Sequence, residues 1–262
     1  MKNHLKFFAI FISLILPCKL YALDLTVGAT TWYAWGEQYN VQTGSAKNSL
    51  IESDPALLYG PALSVKFSDD FNLTFVFLYG TFEALKDDGA HREKSKFSRV
   101  DSDLALNYRL NNFLKLFAGA KYLSYDIVPN NDDTDFIFDK IDPHRSLGTG
   151  LGLSATVPII GNLFGLATVS GLYLWGNDSF VIKDMWQPQI KKDVKIGYNE
   201  YGFNSNVSIA YYITEISTVI SLGGRFQYII ANYKNKDNEI FIDYIRFIMY
   251  GVTLTATYNF SI

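Results

Sequence analysis

The sequence predicts an all-β protein: an antiparallel up-and-down transmembrane β-barrel of about ten strands, with eight or twelve as the neighbouring even counts. Three observations lead there. Segments of ten residues or more alternate apolar and polar side chains along most of the chain, as strands with one oily and one wet face do. The connections between segments are short and long in turn. Finally, 48% of residues are hydrophobic and 16% aromatic, yet beyond the first residues no unbroken apolar run approaches the roughly 18 that a spanning helix needs.

The first residues read as a cleaved signal peptide, residues 1–22. Lys2 and Lys6 precede an apolar stretch from Phe7 to Leu16, and Leu20-Tyr21-Ala22 suits a signal peptidase. Cys18 raises a lipoprotein signal as an alternative, but Pro17 stands where the lipidation route takes a small residue. The barrel is then residues 23–262. Three lysines and no acid leave with the signal, taking the formal net charge from -3 to -6 and giving no basic surface for nucleic acid. Cys18, the single cysteine, leaves too, which excludes a disulfide scaffold, thiolate-bound zinc and a cysteine nucleophile.

Ten segments follow in order. Leu23 to Trp35 and Leu57 to Phe67 alternate loosely and are strands by length and flanks. In the third, Phe71, Leu73, Phe75, Phe77 and Tyr79 share a face opposite Asn72 and Thr74. Val100 to Leu110 opposes Leu104, Leu106, Tyr108 and Leu110 to Arg99, Asp101, Asp103, Asn107 and Arg109. Leu114 to Tyr125 sets Leu116, Ala118, Ala120 and Tyr122 against Lys115, Gly119 and Lys121. Arg145 to Val157 carries Leu147, Leu151, Leu153 and Val157 against Ser146, Gly148, Gly150 and Gly152, small residues that let bulky neighbours approach inside. Leu163 to Trp175 is again loose. Tyr201 to Ile213 places Phe203, Val207 and Ile209 opposite Glu200, Asn204 and Asn206. Ile216 to Ile230 places Ile220, Leu222 and Phe226 opposite Arg225 and Gln227. Val252 to Ile262 alternates most cleanly, through Leu254, Tyr258 and Phe260.

Tight connections occur at Ser68-Asp69-Asp70, Asn111-Asn112, Ile159 to Asn162 and Thr214-Glu215. Long polar ones run from Gly36 to Ala56, Leu85 to Ser98, Asp126 to Pro143, Gly176 to Asn199 and Ala231 to Glu239. Aromatic residues near segment ends, namely Trp32, Tyr33, Trp35, Tyr79, Tyr125, Trp175, Tyr198 and Tyr258, are expected in interfacial girdles. The mature chain resembles the small outer-membrane β-barrel proteins of bacteria with a Gram-negative type of envelope. The alternation of Tyr258, Phe260 and Ile262 resembles the C-terminal signal read by the barrel assembly machinery, although that signal usually ends in an aromatic residue. The resemblance implies short periplasmic turns, long extracellular loops, and outer-membrane lipid and lipopolysaccharide as surroundings. A soluble lipocalin-like carrier is the alternative; it would be oily inside and polar outside.

The wet faces nominate the lumen: Arg99, Asp101, Asp103, Asn107, Arg109, Lys115, Lys121, Glu200, Asn204, Asn206, Arg225 and Gln227. Face matching limits the register. With Leu110 opposite Leu114, Lys121 falls opposite Asp103; a tighter register puts it opposite Asp101. The same argument brings Arg225 near Asn204. His144 is the rim candidate for a hydrolase, because His91 sits in a charged loop. Ser146 is no partner for it, since residues two apart on a strand are about 6.5 Å apart and a base must approach within about 3.2 Å. The loop Asn130 to Asp135 spaces oxygens like a calcium loop but has Phe136 where glycine is needed and no closing glutamate. The patches Phe136-Ile137-Phe138 and Phe180-Val181-Ile182 are expected to extend the barrel as hairpins. Glycines at 148, 150 and 152 alternate along a strand with no helix after them, which excludes a phosphate loop. No catalytic residue, metal or cofactor is assigned. The functions to weigh are a narrow channel or ligand-binding porin-like barrel, a surface adhesin or interaction protein using the long loops, and an outer-membrane hydrolase using His144.

Overall fold

The structure, a computed structural model, describes residues 24–42, 49–87, 92–128, 138–141, 143–183, 191–234 and 242–261. The segment 1–23, His91 and the acidic loop from Asn130 to Asp135 lie outside them. Among the described residues the strands are β1 (Asp24–Gln42), β2 (Ser49–Lys66), β3 (Phe71–Asp87), β4 (Arg92–Arg109), β5 (Leu114–Val128), the short β6 (Phe138–Ile141), β7 (His144–Ile160), β8 (Leu163–Lys183), β9 (Lys191–Ile213), β10 (Thr218–Tyr233) and β11 (Ile242–Ser261). All ladders are antiparallel. Ten of the strands run round a ring in chain order, and β1 pairs with β11 from Asp24↔Ser261 to Val41↔Tyr244, closing the barrel with no free edge. The remaining strand, β6, adds to the tip of β8, with Phe138 opposite Ile182. The expected hairpin extension is therefore present at Phe138 and Phe180 to Ile182; Phe136 and Ile137 lie outside the described residues.

The tight turns are built by local chemistry. Asn111 folds its side chain back so that Oδ1 accepts hydrogen bonds from the Phe113 and Leu114 amides at 2.8 and 2.9 Å. Ser68 Oγ accepts from the Phe71 amide at 3.0 Å. The β7–β8 turn uses Gly161 at φ 54, a left-handed conformation that costs glycine nothing. Between β9 and β10 the chain makes a single 3₁₀ turn, Thr214–Ile216, so β10 starts at Thr218 rather than Ile216.

The oily faces point outward. Leu106, Leu151, Val207, Leu222 and Leu254 are all 45–65% exposed, forming an apolar belt. This excludes the lipocalin-like arrangement. Tyr33, Tyr59, Tyr79, Tyr173, Trp175, Tyr201 and Tyr250 rim the belt towards the long connections; Phe67, Phe71, Tyr108, Tyr211, Tyr258 and Phe260 rim it towards the short turns. Three residues expected in the girdles stand elsewhere. Trp32, Tyr125 and Tyr198 are buried inside the barrel, because each has the opposite parity to the outward aromatics Tyr33, Tyr122 and Tyr201 on its own strand.

The long connections are also shorter than their polarity suggests. β1 continues to Gln42 and β2 resumes at Ser49; β3 and β4 run to Asp87 and from Arg92; β8 and β9 run to Lys183 and from Lys191. Beyond the belt no lipid demands an oily outward face, so alternation fades while the ladder hydrogen bonds continue. A strand of twenty residues tilted at about 40° rises about 50 Å, twice the roughly 25 Å apolar belt. The barrel wall therefore stands well clear of the belt on its long-connection side.

A candidate functional site in the lumen

The inward face of β4 delivers Arg99, Asp101 and Asp103, and the β4–β5 register sets Asp103 directly opposite Lys121. This is the looser of the two registers considered, fixed by the Leu110 amide donating to the Leu114 carbonyl at 2.9 Å. Lys121 reaches both acids, at 2.7 Å from Asp101 and 2.9 Å from Asp103. Across the lumen, β10 contributes Arg225, whose guanidinium lies 3.3 Å from Asp101 and 3.6 Å from Asp103 while its Nε donates to Asn204 Oδ1 at 3.1 Å. Arg99 donates to Asp101 at 3.0 Å, to the Tyr125 hydroxyl at 2.5 Å and to Gln227 Oε1. Trp32 packs its ring 4.5 Å from the Arg225 guanidinium, a cation–π contact away from water. One buried carboxylate, Asp101, thus gathers Arg99, Lys121 and Arg225, and the side chains of Arg99, Asp101 and Lys121 are at most 1% exposed.

A second cluster sits just beyond the outward aromatic girdle. His144, three residues past the outward Leu147, places Nδ1 3.0 Å from Asp178 and Nε2 2.6 Å from Glu200. Its ring stacks on Tyr198 at 4.1 Å and 11°, and the Tyr233 hydroxyl donates to Asp178 at 2.7 Å. Burial by itself would lower the His144 pKa, but the hydrogen bonds its ring donates to Asp178 and Glu200, and their charges, overcome it and raise the imidazole to about 9. It is an imidazolium at neutral pH with both nitrogens occupied. Burial beside Asp178 pushes the Tyr198 and Tyr233 hydroxyls up, keeping them neutral.

Four acids (Asp101, Asp103, Asp178, Glu200) thereby meet four bases (Arg99, Lys121, Arg225 and protonated His144), so the two clusters together carry no net charge. Apolar clusters complete the filling: Leu123, Leu172, Leu174, Ile229, Ile245 and Phe247 on one side, Leu58, Leu78, Phe82 and Met249 on the other. Gly152 lets its neighbours approach closely, since a Cβ there would lie 2.5 Å from the ring of Phe117 and closer still to the Val169 carbonyl. Asn107 bonds to Thr74 and to backbone carbonyls, while Asn206 stands opposite Arg225. Arg109 and Lys115 lie apart from the network, at the short-turn mouth.

Sequence reasoning placed Lys121 and Arg225 with their partners but missed Asp178, Tyr198 and Tyr233. Asp178 fell in the stretch from Gly176 to Asn199 read as a loop, and the signal available was parity: inward Leu172 and Leu174 continue through Gly176 to Asp178. His144, expected at a loop base, lies within β7 with only 11% of its side chain exposed.

No family model matches the chain, and no curated protein matches it in sequence. Solved structures do. The crystal structure of the outer membrane protease OmpT from Escherichia coli superposes with a TM-score of 0.50 at 12% identity, covering 91% of this chain and 97% of that one. The fold is that of an outer-membrane β-barrel. Lesser similarity extends to outer membrane protein AlkL in lipid bilayers (TM-score 0.40, 12% identity, 94% and 95% covered) and to OprG from Pseudomonas aeruginosa (0.38, 12%, 92% and 96%). At such identities the likeness concerns the fold alone.

Proposed function

We propose that the protein is a ligand-binding outer-membrane barrel with a sealed lumen, acting at its mouths rather than conducting solutes through its centre. The observation that carries this reading is the cross-barrel network around Asp101, in which Arg99, Lys121, Arg225 and Gln227 close the lumen from β4 to β10. Opening it would strand charges that are now compensated, and breaking one partner of such a buried group costs about 3–5 kcal/mol. Insertion by the barrel assembly machinery through β11, and residence among lipopolysaccharide with the short turns in the periplasm, belong to the same reading.

The test is conductance of the refolded protein in a planar bilayer at neutral pH. We expect no resolved single-channel steps from the wild type and unstable current from the double variant K121A/R225A. Steady, ion-selective steps from the wild type would replace this reading with that of a narrow channel. A second reading, surface interaction through the extracellular rim, is favoured by the wall of β8 and β9 rising beyond the apolar belt and broadened by β6. For a hydrolase at His144 the geometry is unfavourable: both ring nitrogens are held by carboxylates, and among the described residues no hydroxyl nucleophile contacts either.

A further inference from the structure

Below the charged network, at the short-turn end, the lumen widens into a cavity of about 550 Å³ that reaches the barrel mouth. That volume suits a small molecule. Its electrostatics are uneven. The β4–β5 register places Arg109 directly opposite Lys115, and both line the cavity. Like charges directly opposed on one face of a sheet are destabilising. The acids at this mouth compensate only one side of the pair: Asp70 lies 3.4 Å from Arg109, while Asp24 and Asp69 are held by Lys66 at 3.6 and 3.1 Å. Lys115 has no acidic partner among the described residues. Side chains able to donate hydrogen bonds, Asn112, Thr156 and Asn259, line the same cavity.

We propose that this vestibule is a binding site for a small oxyanion group, a phosphate or carboxylate, held between Lys115 and Arg109. An oxyanion there converts a repelling pair into two charge-assisted hydrogen bonds. Two sources present this chemistry: a free periplasmic solute, or the headgroup of an anionic lipid folded into the mouth. The ligand binds and leaves from the periplasmic side, and this direction alone rests on the sealed lumen proposed above.

The test uses the full barrel in phosphatidylcholine nanodiscs, titrated with inorganic phosphate against chloride at equal ionic strength, with thermal midpoint as readout. The wild type should rise in midpoint with phosphate and not with chloride. Lys115→Gln should weaken the phosphate response about tenfold or more, in line with losing one charge-assisted bond. In chloride the same variant should melt above the wild type, because repulsion at Arg109 is relieved; a merely structural lysine would give the reverse. Nanodiscs containing phosphatidylglycerol separate the sources. A midpoint already raised and indifferent to phosphate identifies a lipid headgroup, whereas an undiminished phosphate response identifies a soluble ligand. A wild type that responds equally to phosphate and chloride, with no dependence on phosphatidylglycerol, overturns the site. So does a Lys115→Gln variant that binds phosphate as the wild type does. Channel steps in the bilayer experiment would overturn the sealed lumen while leaving the phosphate result standing.

Discussion

His144 shows how one side chain ties stability to acidity. Its pKa is raised from 6.5 to about 9, so its ionised form is favoured by the fold. The stabilisation is full below about pH 6.5, where the unfolded chain is also protonated, and is lost as the pH rises through 9. Tyr198 and Tyr233, pushed upward by burial, stay neutral in the fold, and in the unfolded chain they ionise only at about pH 10, above the His144 window. We expect the thermal midpoint to fall between pH 6.5 and 9. In His144→Gln it should start lower at pH 6.5 and change little across the interval; equal slopes in both proteins would remove His144 from the cause. Residues of this kind were unevenly legible. Lys121 and its acids could be paired from parity and a two-residue turn, since a ladder leaves only two registers to choose between. The partners of His144 could not, because Asp178 and Glu200 come from strands whose mutual register depends on the whole β8–β9 hairpin.

At the scale of the strand, hydrophobic alternation marks only the part that meets lipid. It located seven of the ten long strands; length and flanks supplied β1, β2 and β8, and the turns at Asn111-Asn112 and Gly161-Asn162 were legible because short-range chemistry is written in the residues. Alternation missed the upper tips, as at Gly36 to Gln42, where both faces are free to be polar while backbone pairing continues the ladder. Insertions should separate these cases. A peptide tag placed between residues 45 and 46, between the ends of β1 and β2, should leave the barrel assembled and be reachable by antibody on intact cells. The same tag after Gln38, within the β1–β2 and β1–β11 ladders, should reduce the assembled fraction. Equal assembly would mean that these tips contribute no pairing energy. Labelling only after permeabilisation would reverse the orientation.

For the whole molecule, closure of the ring satisfies every ladder, and detergent cannot compete for bonds already made within the protein. The folded protein should therefore migrate faster on a detergent gel when unheated than when boiled, and identical mobility would contradict the closed barrel. The seam between β1 and β11 has one more consequence. Each other ladder of the ring joins strands that are neighbours in the chain, with only short β6 intervening between β5 and β7. Hairpins can thus zip up one after another with little loop entropy to overcome, while the seam must unite residues near the two ends of the chain. Until it does, two rows of unmet amides and carbonyls face hydrocarbon, where each is costly. Assembly is consequently paced by its final event. A weakened seam would delay the appearance of the fast-migrating form while the hairpins that precede it formed at their usual speed.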